Sequence, residues 1–306
     1  DGIRDLVRSR GLGDVYKRQL DEHSADAGMV TRCEAFFDSL RFYHHRPPIR
    51  EFNLTADEFR PFEKTIYIPN MADHAYAMRA AFERCGLTAE VLDEPDELTL
   101  EFGRRFTSGK ECFPCVVTTG DMIKKIHSKG FDRSRAVFFM PGADGPCRFG
   151  LYRQFHRVVL DELGYQEVAI YSPNSSDGYA QFGLDGTNFR TLAWRGFVVV
   201  DGLQKLLLRV RPYEVEKGAA ERLYYHYLAR LDKAIQRDES LMDLAREASE
   251  AFSRIERRPE RYPLVGLVGE IYLRHNRFSN NYLIQQLENQ QLEVRMATLT
   301  EWPLYT

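Results

Sequence analysis

Short apolar runs alternate along the chain with longer segments whose apolar positions repeat at helical spacing, beginning near residue 65. Short runs closed by proline or glycine are typical of buried strands, and the longer periodic segments are typical of helices. The pattern predicts strands at 65–69, 89–92, 135–140 and 168–171. It predicts helices at 73–85, 97–106, 112–128 and 149–163. This alternation predicts a parallel sheet covered by helices on both faces.

The second half of the chain has a different pattern. It predicts three long helices, a strand, a helix and the start of another strand, at 189–211, 219–236, 241–257, 264–269, 280–289 and 292–296. The predicted fold class is therefore α/β, with a Rossmann-like parallel-sheet lobe, a helical connector and a partial second α/β lobe. The corresponding domains are an α/β cysteine-bearing lobe at 61–186, a helical segment at 187–259 and a truncated second lobe at 260–306.

The N-terminal segment has a sequence pattern unlike the rest of the chain. Ser9 to Gln19 reads SRGLGDVYKRQ and, back-translated, resembles one frame of a transposase-type sequencing adapter. We therefore expect residues 1–19 to be an artefact with few contacts, the alternative being a genuine polar arm. Residues 20–60 are interpreted as a linker or the remnant of a preceding domain, and the chain as a fragment of a longer protein.

Composition narrows the class of protein. The 306 residues are 43% hydrophobic and 28% charged, which is enough apolar material for a sizeable core. The net charge of −3 provides no basic surface for nucleic acid. Asp201, Gln204 and Lys205 interrupt the most apolar stretch, so a membrane span is not expected. Five cysteines and no signal-peptide pattern indicate thiols in the reducing cytoplasm.

Three cysteines form the main candidate site. Cys112 and Cys115 are predicted in the first turn of a helix, where the helix dipole favours thiolates and the spacing puts both sulfurs on one side. Cys147 follows the third predicted strand, at the edge where parallel sheets bind ligands. Three thiolates with no companion histidine favour an iron–sulfur cluster over zinc. Lys110 and Arg148 are expected nearby, offsetting the negative charge.

Other interpretations of the pair remain open. A Cys-x-x-Cys at a helix start is also typical of a thioredoxin-like dithiol, or of two small buried residues. Cys33 and Cys85 are interpreted as buried thiols.

Four weaker signals have mostly structural interpretations. Ser108-Gly109-Lys110 would suit a phosphate at a helix start but lacks P-loop spacing. Glu270 is an acid/base or ligand candidate, although a helix cap or a salt-bridge partner is the more usual role. Asp73 is expected to cap a helix, and His156, between arginines, is expected at the surface.

Four segments resemble the C-terminal region of the large activase-related proteins of the 2-hydroxyacyl-CoA dehydratase system. They read FTSGKECFPCVVTTGDMIKKI, FFMPGADGPCRFGLYRQF, LAWRGFVVVDGLQKLLLRVRPYEV and LVGEIYLRHNRFSNNYLIQQLE, and the resemblance covers about residues 60–306. That family is related to the dehydratase subunits and to double-cubane-cluster reductases. The resemblance implies Rossmann-like lobes with a cysteine-bound cluster between them, of 4Fe-4S type or a larger variant. It also implies an ATP-hydrolysing activase module, in the same chain or a separate one, that delivers a low-potential electron.

The resemblance assigns Cys112 and Cys147 as ligands, and the local spacing adds Cys115. The related subunits spread their three ligands widely, whereas two lie close together here. The sequence therefore predicts a cytoplasmic iron–sulfur protein that transfers low-potential electrons to a CoA ester or other small substrate. Its expected partners are the activase module and an acyl-CoA, with no nucleic acid or membrane. The fragment has no ATPase motif, and its catalytic residues are unassigned. The alternative is a non-catalytic regulatory or scaffold region of a fused activase.

Overall fold

The computed structural model describes residue 37 and residues 63–143, 147–173 and 186–301. The described residues belong to two units, with Phe37, Cys147 and Arg148 in one and all the others in the second. The predicted adapter segment, Cys33 and, apart from residue 37, the predicted linker lie outside the described residues. The predicted domain boundaries stay predictions.

A four-stranded parallel sheet organises the first part of the larger unit. Its strands are β1 (Thr65–Ile68), β2 (Thr88–Val91), β3 (Ala136–Phe139) and β4 (Ala169–Tyr171). The spatial order is β2-β1-β3-β4, which confirms the predicted parallel sheet. In this order β2 is added on one side of β1 and β3 on the other, so the direction in which strands are added reverses between β1 and β3. Parallel α/β sheets bind ligands at such a switch point, beyond the carboxyl ends of the strands.

Helices cover both faces of this sheet, as predicted. They are α1 (His74–Arg84), α2 (Glu97–Phe106), α3 (Phe113–Ile126) and α4 (Tyr152–Glu162). On one face, Phe138 belongs to the same buried apolar cluster as Met122 of α3 and Leu160 of α4. On the opposite face, the Phe139 ring lies 5.6 Å from the Phe82 ring of α1, measured between centroids. Burial on both faces explains the apolar runs of β1, β3 and β4, whereas β2, at the edge of the sheet, exposes Thr88 and Glu90.

Three helices follow and build a second apolar cluster with α1. They are α5 (Gly186–Val210), α6 (Ala219–Gln236) and α7 (Leu241–Ser253). The predicted end of α7 at residue 257 is wrong. The backbone of Arg257 instead forms an antiparallel bridge with Glu214, and the Arg258 N–H donates to the Tyr213 carbonyl at 2.8 Å. These backbone bonds take the place of another helical turn.

A two-stranded parallel sheet forms the predicted partial second lobe. It consists of β5 (Leu264–Leu267) and β6 (Glu293–Met296), separated by α8 (Ile271–His275) and α9 (Leu283–Asn289). The sequence pattern missed α8 and placed the start of α9 at residue 280. Asn281 and Tyr282 have positive φ values of 55° and 54°, which a right-handed helix does not accept. The helix therefore begins at Leu283.

Candidate functional site

The Cys112–Cys115 pair lies at the start of α3, as the sequence predicts. Cys112 is the N-cap residue, and its carbonyl accepts hydrogen bonds from the N–H groups of Cys115 at 2.9 Å and Val116 at 3.2 Å. Pro114 occupies the first turn, where no backbone donor is needed. Cys112 is half-buried and Cys115 is 3% exposed, and both pack in the apolar cluster beneath α3. The two thiols therefore lie on one side of the helix.

The start of α3 lies on the carboxyl side of the sheet. The chain leaves β2 at the carboxyl ends of the strands and must enter β3 at the amino ends, so the last helix between them runs back across the sheet. The carboxyl side is the edge where the sequence predicts a ligand site.

Two glycines fix α3 against α2. A Cβ atom added at Gly120 would lie 1.8 Å from the Thr99 carbonyl oxygen, and one added at Gly103 would lie 2.0 Å from the Val116 carbonyl oxygen. Both distances are far inside van der Waals contact, so only glycine allows the two helix backbones to approach this closely. This contact sets the position of the first turn of α3, and with it the two thiols.

The loop before α3 is closed by the carboxylate of Glu111. The Glu111 carboxylate accepts from the N–H groups of Ser108 at 2.9 Å and Lys110 at 3.1 Å, and from the Ser108 hydroxyl at 3.0 Å. Burial raises the pKa of Glu111, but these bonds and one from its own N–H outweigh that effect and leave the pKa below its usual value. The donors that a phosphate would use at Ser108-Gly109-Lys110 are therefore engaged by the chain itself.

His156 is buried beneath α3, so the prediction of a surface position is wrong. The residue is 0% exposed, and its Nε2 lies 3.3 Å from the Thr118 hydroxyl. Burial lowers the pKa of His156 to about 3, which a hydrogen bond with the Cys115 backbone only partly opposes. The buried residues of α4 are Tyr152, His156, Val159 and Leu160. This i, i+4, i+7, i+8 spacing is present in the sequence and indicates a buried position, but the prediction relied on the charged arginines beside His156.

The remaining predicted site residues are at the surface. Lys110 is exposed in the loop before α3. Cys147 and Arg148 are exposed and belong to the smaller unit. Over the residues that the structure describes, no group of three His, Cys, Asp or Glu side chains could hold a metal ion. Cys85, interpreted as a buried thiol, is half-buried at the C-cap of α1.

Asp73 does not cap α1 with its side chain, contrary to the prediction. It occupies the N-cap position but makes no side-chain capping bond. Its Oδ2 instead accepts from the Tyr224 hydroxyl at 2.5 Å and from the Arg277 guanidinium at 3.1 Å. These partners come from α6 and from the segment after α8, so the carboxylate joins three distant parts of the chain.

A second buried polar group, which the sequence analysis missed, adjoins the start of α1. His74 Nε2 lies 2.8 Å from Asp201 Oδ1 in α5, and Asp201 also accepts from the Leu299 N–H at 3.2 Å and from both the N–H and the hydroxyl of Thr300. Burial raises the pKa of Asp201, but His74 and Thr300 outweigh it and lower the value to about 2. The only sequence signal was a single aspartate within the apolar stretch of α5.

Two further carboxyl groups, those of Glu270 and Asp121, lie in or beside helices. Glu270 caps α8, where its side chain accepts from the Leu273 N–H at 2.8 Å, so of its predicted roles the structure shows the helix cap. Asp121 in α3 is 5% exposed, and burial raises its pKa well above the usual range despite nearby Lys124.

No protein-family model matches the chain, and no curated protein matches it significantly. Within the described residues, no helix is both long and apolar enough to cross a membrane.

Proposed function

We propose that this chain is an iron–sulfur protein of the 2-hydroxyacyl-CoA dehydratase/activase group. The observation that supports the proposal best is the placement of Cys112 and Cys115 together on the first turn of α3, at the carboxyl side of a parallel sheet. Thiolates are the ligands that iron–sulfur clusters use. The pair therefore suits two ligands of one centre.

In this proposal, Cys112 and Cys147 bind the cluster and Cys115 is the third ligand. When bound, such a cluster would supply a low-potential one-electron carrier between an ATP-hydrolysing activase module and an acyl-CoA or other small substrate. Lys110 and Arg148 would offset the negative charge of the thiolates and the cluster. The apolar residues around Cys115 would exclude water from that side of the site.

Metal content tests the proposal directly. The full chain is prepared anaerobically with iron and sulfide, and iron, acid-labile sulfide and visible charge-transfer absorbance are measured per chain. Cys112→Ser and Cys147→Ser should each abolish iron incorporation. Cys85→Ser is the matched control, because Cys85 lies at the end of α1 and has no part in the proposed site. Full iron content in Cys112→Ser would contradict the assignment.

The second candidate is a regulatory or scaffold region of a fused activase, without a cluster. The observation in its favour is the 3% exposure of Cys115, which packs like an ordinary core residue. In that case, the wild-type chain contains no iron after anaerobic reconstitution. Cys115→Ala would then change only the free energy of unfolding, as expected for a small buried side chain.

A further inference from the structure

A small polar cavity lies away from the cysteines. It has a volume of about 40 Å³ and is lined by residues of α5, α6, α8, α9 and β6, among them Gln204, Tyr224, Arg274, His275 and Met296. A single water molecule needs roughly 10–15 Å³ on this scale. The cavity therefore has room for about three water molecules or for one small ion.

Several polar atoms around this cavity have no hydrogen-bond partner within the described part of the chain. They are Gln204 Oε1, Arg274 Nε, and both ring nitrogens of His275. Gln204 and His275 are each 8% exposed, so bulk water does not reach them freely. Because buried polar groups in folded proteins are nearly always hydrogen-bonded, these atoms indicate a polar occupant.

The orientation of Gln204 is set by its neighbours. Its side chain faces the Tyr224 hydroxyl, whose proton is already donated to Asp73 at 2.5 Å. The Tyr224 oxygen can therefore only accept from Gln204, so the amide nitrogen is the group turned towards it, and Oε1 is left as an acceptor without a partner among the described residues. An occupant that contacts this oxygen must provide a proton donor.

Among the described residues that line the cavity, one cationic side chain has no carboxylate partner. Three arginines contribute to its lining. Arg211 pairs with Glu288 at 2.7 Å, and Arg277 pairs with Asp73, the carboxylate that also lines the cavity, at 3.1 Å. Arg274 donates from Nη1 to the Ala297 carbonyl at 2.8 Å, and no carboxylate of the described residues lies within ion-pairing distance of it. Arg274 therefore favours an anionic occupant.

His275 can serve either kind of contact. Burial, with a smaller contribution from the charge of His74, lowers its pKa to about 4, so the ring is neutral near pH 7. A neutral imidazole has one N–H donor and one acceptor nitrogen. His275 thus adds a second donor for an anion and a second acceptor for a proton of that anion.

We propose that this cavity binds a small oxyanion that retains a proton at neutral pH, of the hydrogen phosphate or bicarbonate class. Arg274 Nε and one His275 nitrogen donate to its oxygens, and its O–H group donates to Gln204 Oε1. The site is independent of the cysteines and of the function proposed above. Sulfate has nearly the same size and shape as phosphate but has no proton at this pH, so it would face Gln204 Oε1 with a second acceptor.

Calorimetric titration of the wild-type chain separates these possibilities. Phosphate, bicarbonate and sulfate are each titrated at pH 7.5, in a buffer without other oxyanions and at ionic strength matched with chloride. Phosphate or bicarbonate should bind at one site, and sulfate should bind at least tenfold more weakly. Binding of neither phosphate nor bicarbonate would overturn the proposal, because the cavity would then hold water only. Equal affinity for sulfate would also overturn it.

Two variants locate the site. Arg274→Gln should weaken binding at least tenfold, whereas Arg209→Gln, which removes the same charge from an exposed position on α5, should leave it unchanged. Gln204→Met should reduce the preference for phosphate or bicarbonate over sulfate, because the acceptor is lost while the side-chain volume is kept. Unchanged binding in Arg274→Gln would show that the ion binds elsewhere. If that variant does not fold, the wild-type comparison with sulfate still decides.

Discussion

The contact between α2 and α3 gives the sharpest test of how the candidate site is positioned. Gly120→Ala adds one methyl group where α3 meets the Thr99 carbonyl, and the new Cβ would lie 1.8 Å from that oxygen. An ordinary contact needs about 3.4 Å, so the two helices must separate by about 1.6 Å. The atom in the way belongs to the backbone and has no rotamer to change.

Two opposing terms decide the sign of the effect. Alanine is favoured over glycine inside a helix by about 1 kcal/mol. Overpacking a closely packed contact costs about 1–3 kcal/mol or more, and a rigid backbone neighbour puts this site at or above the upper end of that range. We therefore expect Gly120→Ala to lower the free energy of unfolding by about 2 kcal/mol. The displaced first turn of α3 should also lower iron retention if the proposed cluster is present.

Urea unfolding measures the effect, with Gly202→Ala as the matched control. Gly202 also lies within a helix, but it is exposed, and an added Cβ would meet no atom within 4 Å. Its replacement should raise the free energy of unfolding by about 0.5–1 kcal/mol. Opposite signs for the two variants, with similar m-values, support the reasoning. If Gly120→Ala were as stabilising as the control, the close approach of α2 and α3 would be refuted.

Three further outcomes concern polar side chains. Asp201→Asn should cost about 3 kcal/mol in urea unfolding, because the amide group cannot replace both oxygens that accept from His74 and Thr300. A cost below about 1 kcal/mol would contradict this. The folded-state pKa of His275 is lowered from 6.5 to about 4, so between these pH values the unfolded chain binds a proton at His275 and the folded chain does not. The free energy of unfolding is therefore unaffected by His275 above pH 6.5 and falls as the pH decreases from 6.5 towards 4. His275→Phe should reduce this decrease in the free energy of unfolding by up to about 3 kcal/mol. If the pH profiles of the variant and the wild type were parallel, His275 would not be the cause of the decrease. Glu111→Ala should cost about 1 kcal/mol, because the Ser108 and Lys110 donors lose their acceptor, and an unchanged unfolding midpoint would argue against their role.

The sequence by itself determined the features that depend on neighbouring residues. The strand runs and helical periodicity gave the parallel α/β lobe, because period and length are local properties of the chain. Gly86 and Gly164 follow the predicted ends of α1 and α4, and both have positive φ, at 84° and 80°, as is typical of the residue that ends a helix. The Cys112–Cys115 pair was placed correctly at a helix start, because Pro114 and the apolar positions after it define that start locally. The cluster and its three proposed ligands, Cys112, Cys115 and Cys147, stay predictions.

Only the tertiary structure decided which polar groups meet. Asp73 has the residue type and position of a helix cap, yet its carboxylate contacts Tyr224 and Arg277, which are 151 and 204 residues away in sequence. His156 reads as a surface residue from its neighbours but is buried by the packing of α4 on α3. A polar side chain that could bond to a neighbouring backbone group bonds to a distant side chain instead when the fold brings a more favourable partner within hydrogen-bond distance. A sequence pattern shows only the neighbouring residues, so it predicts the local bond and not the distant one.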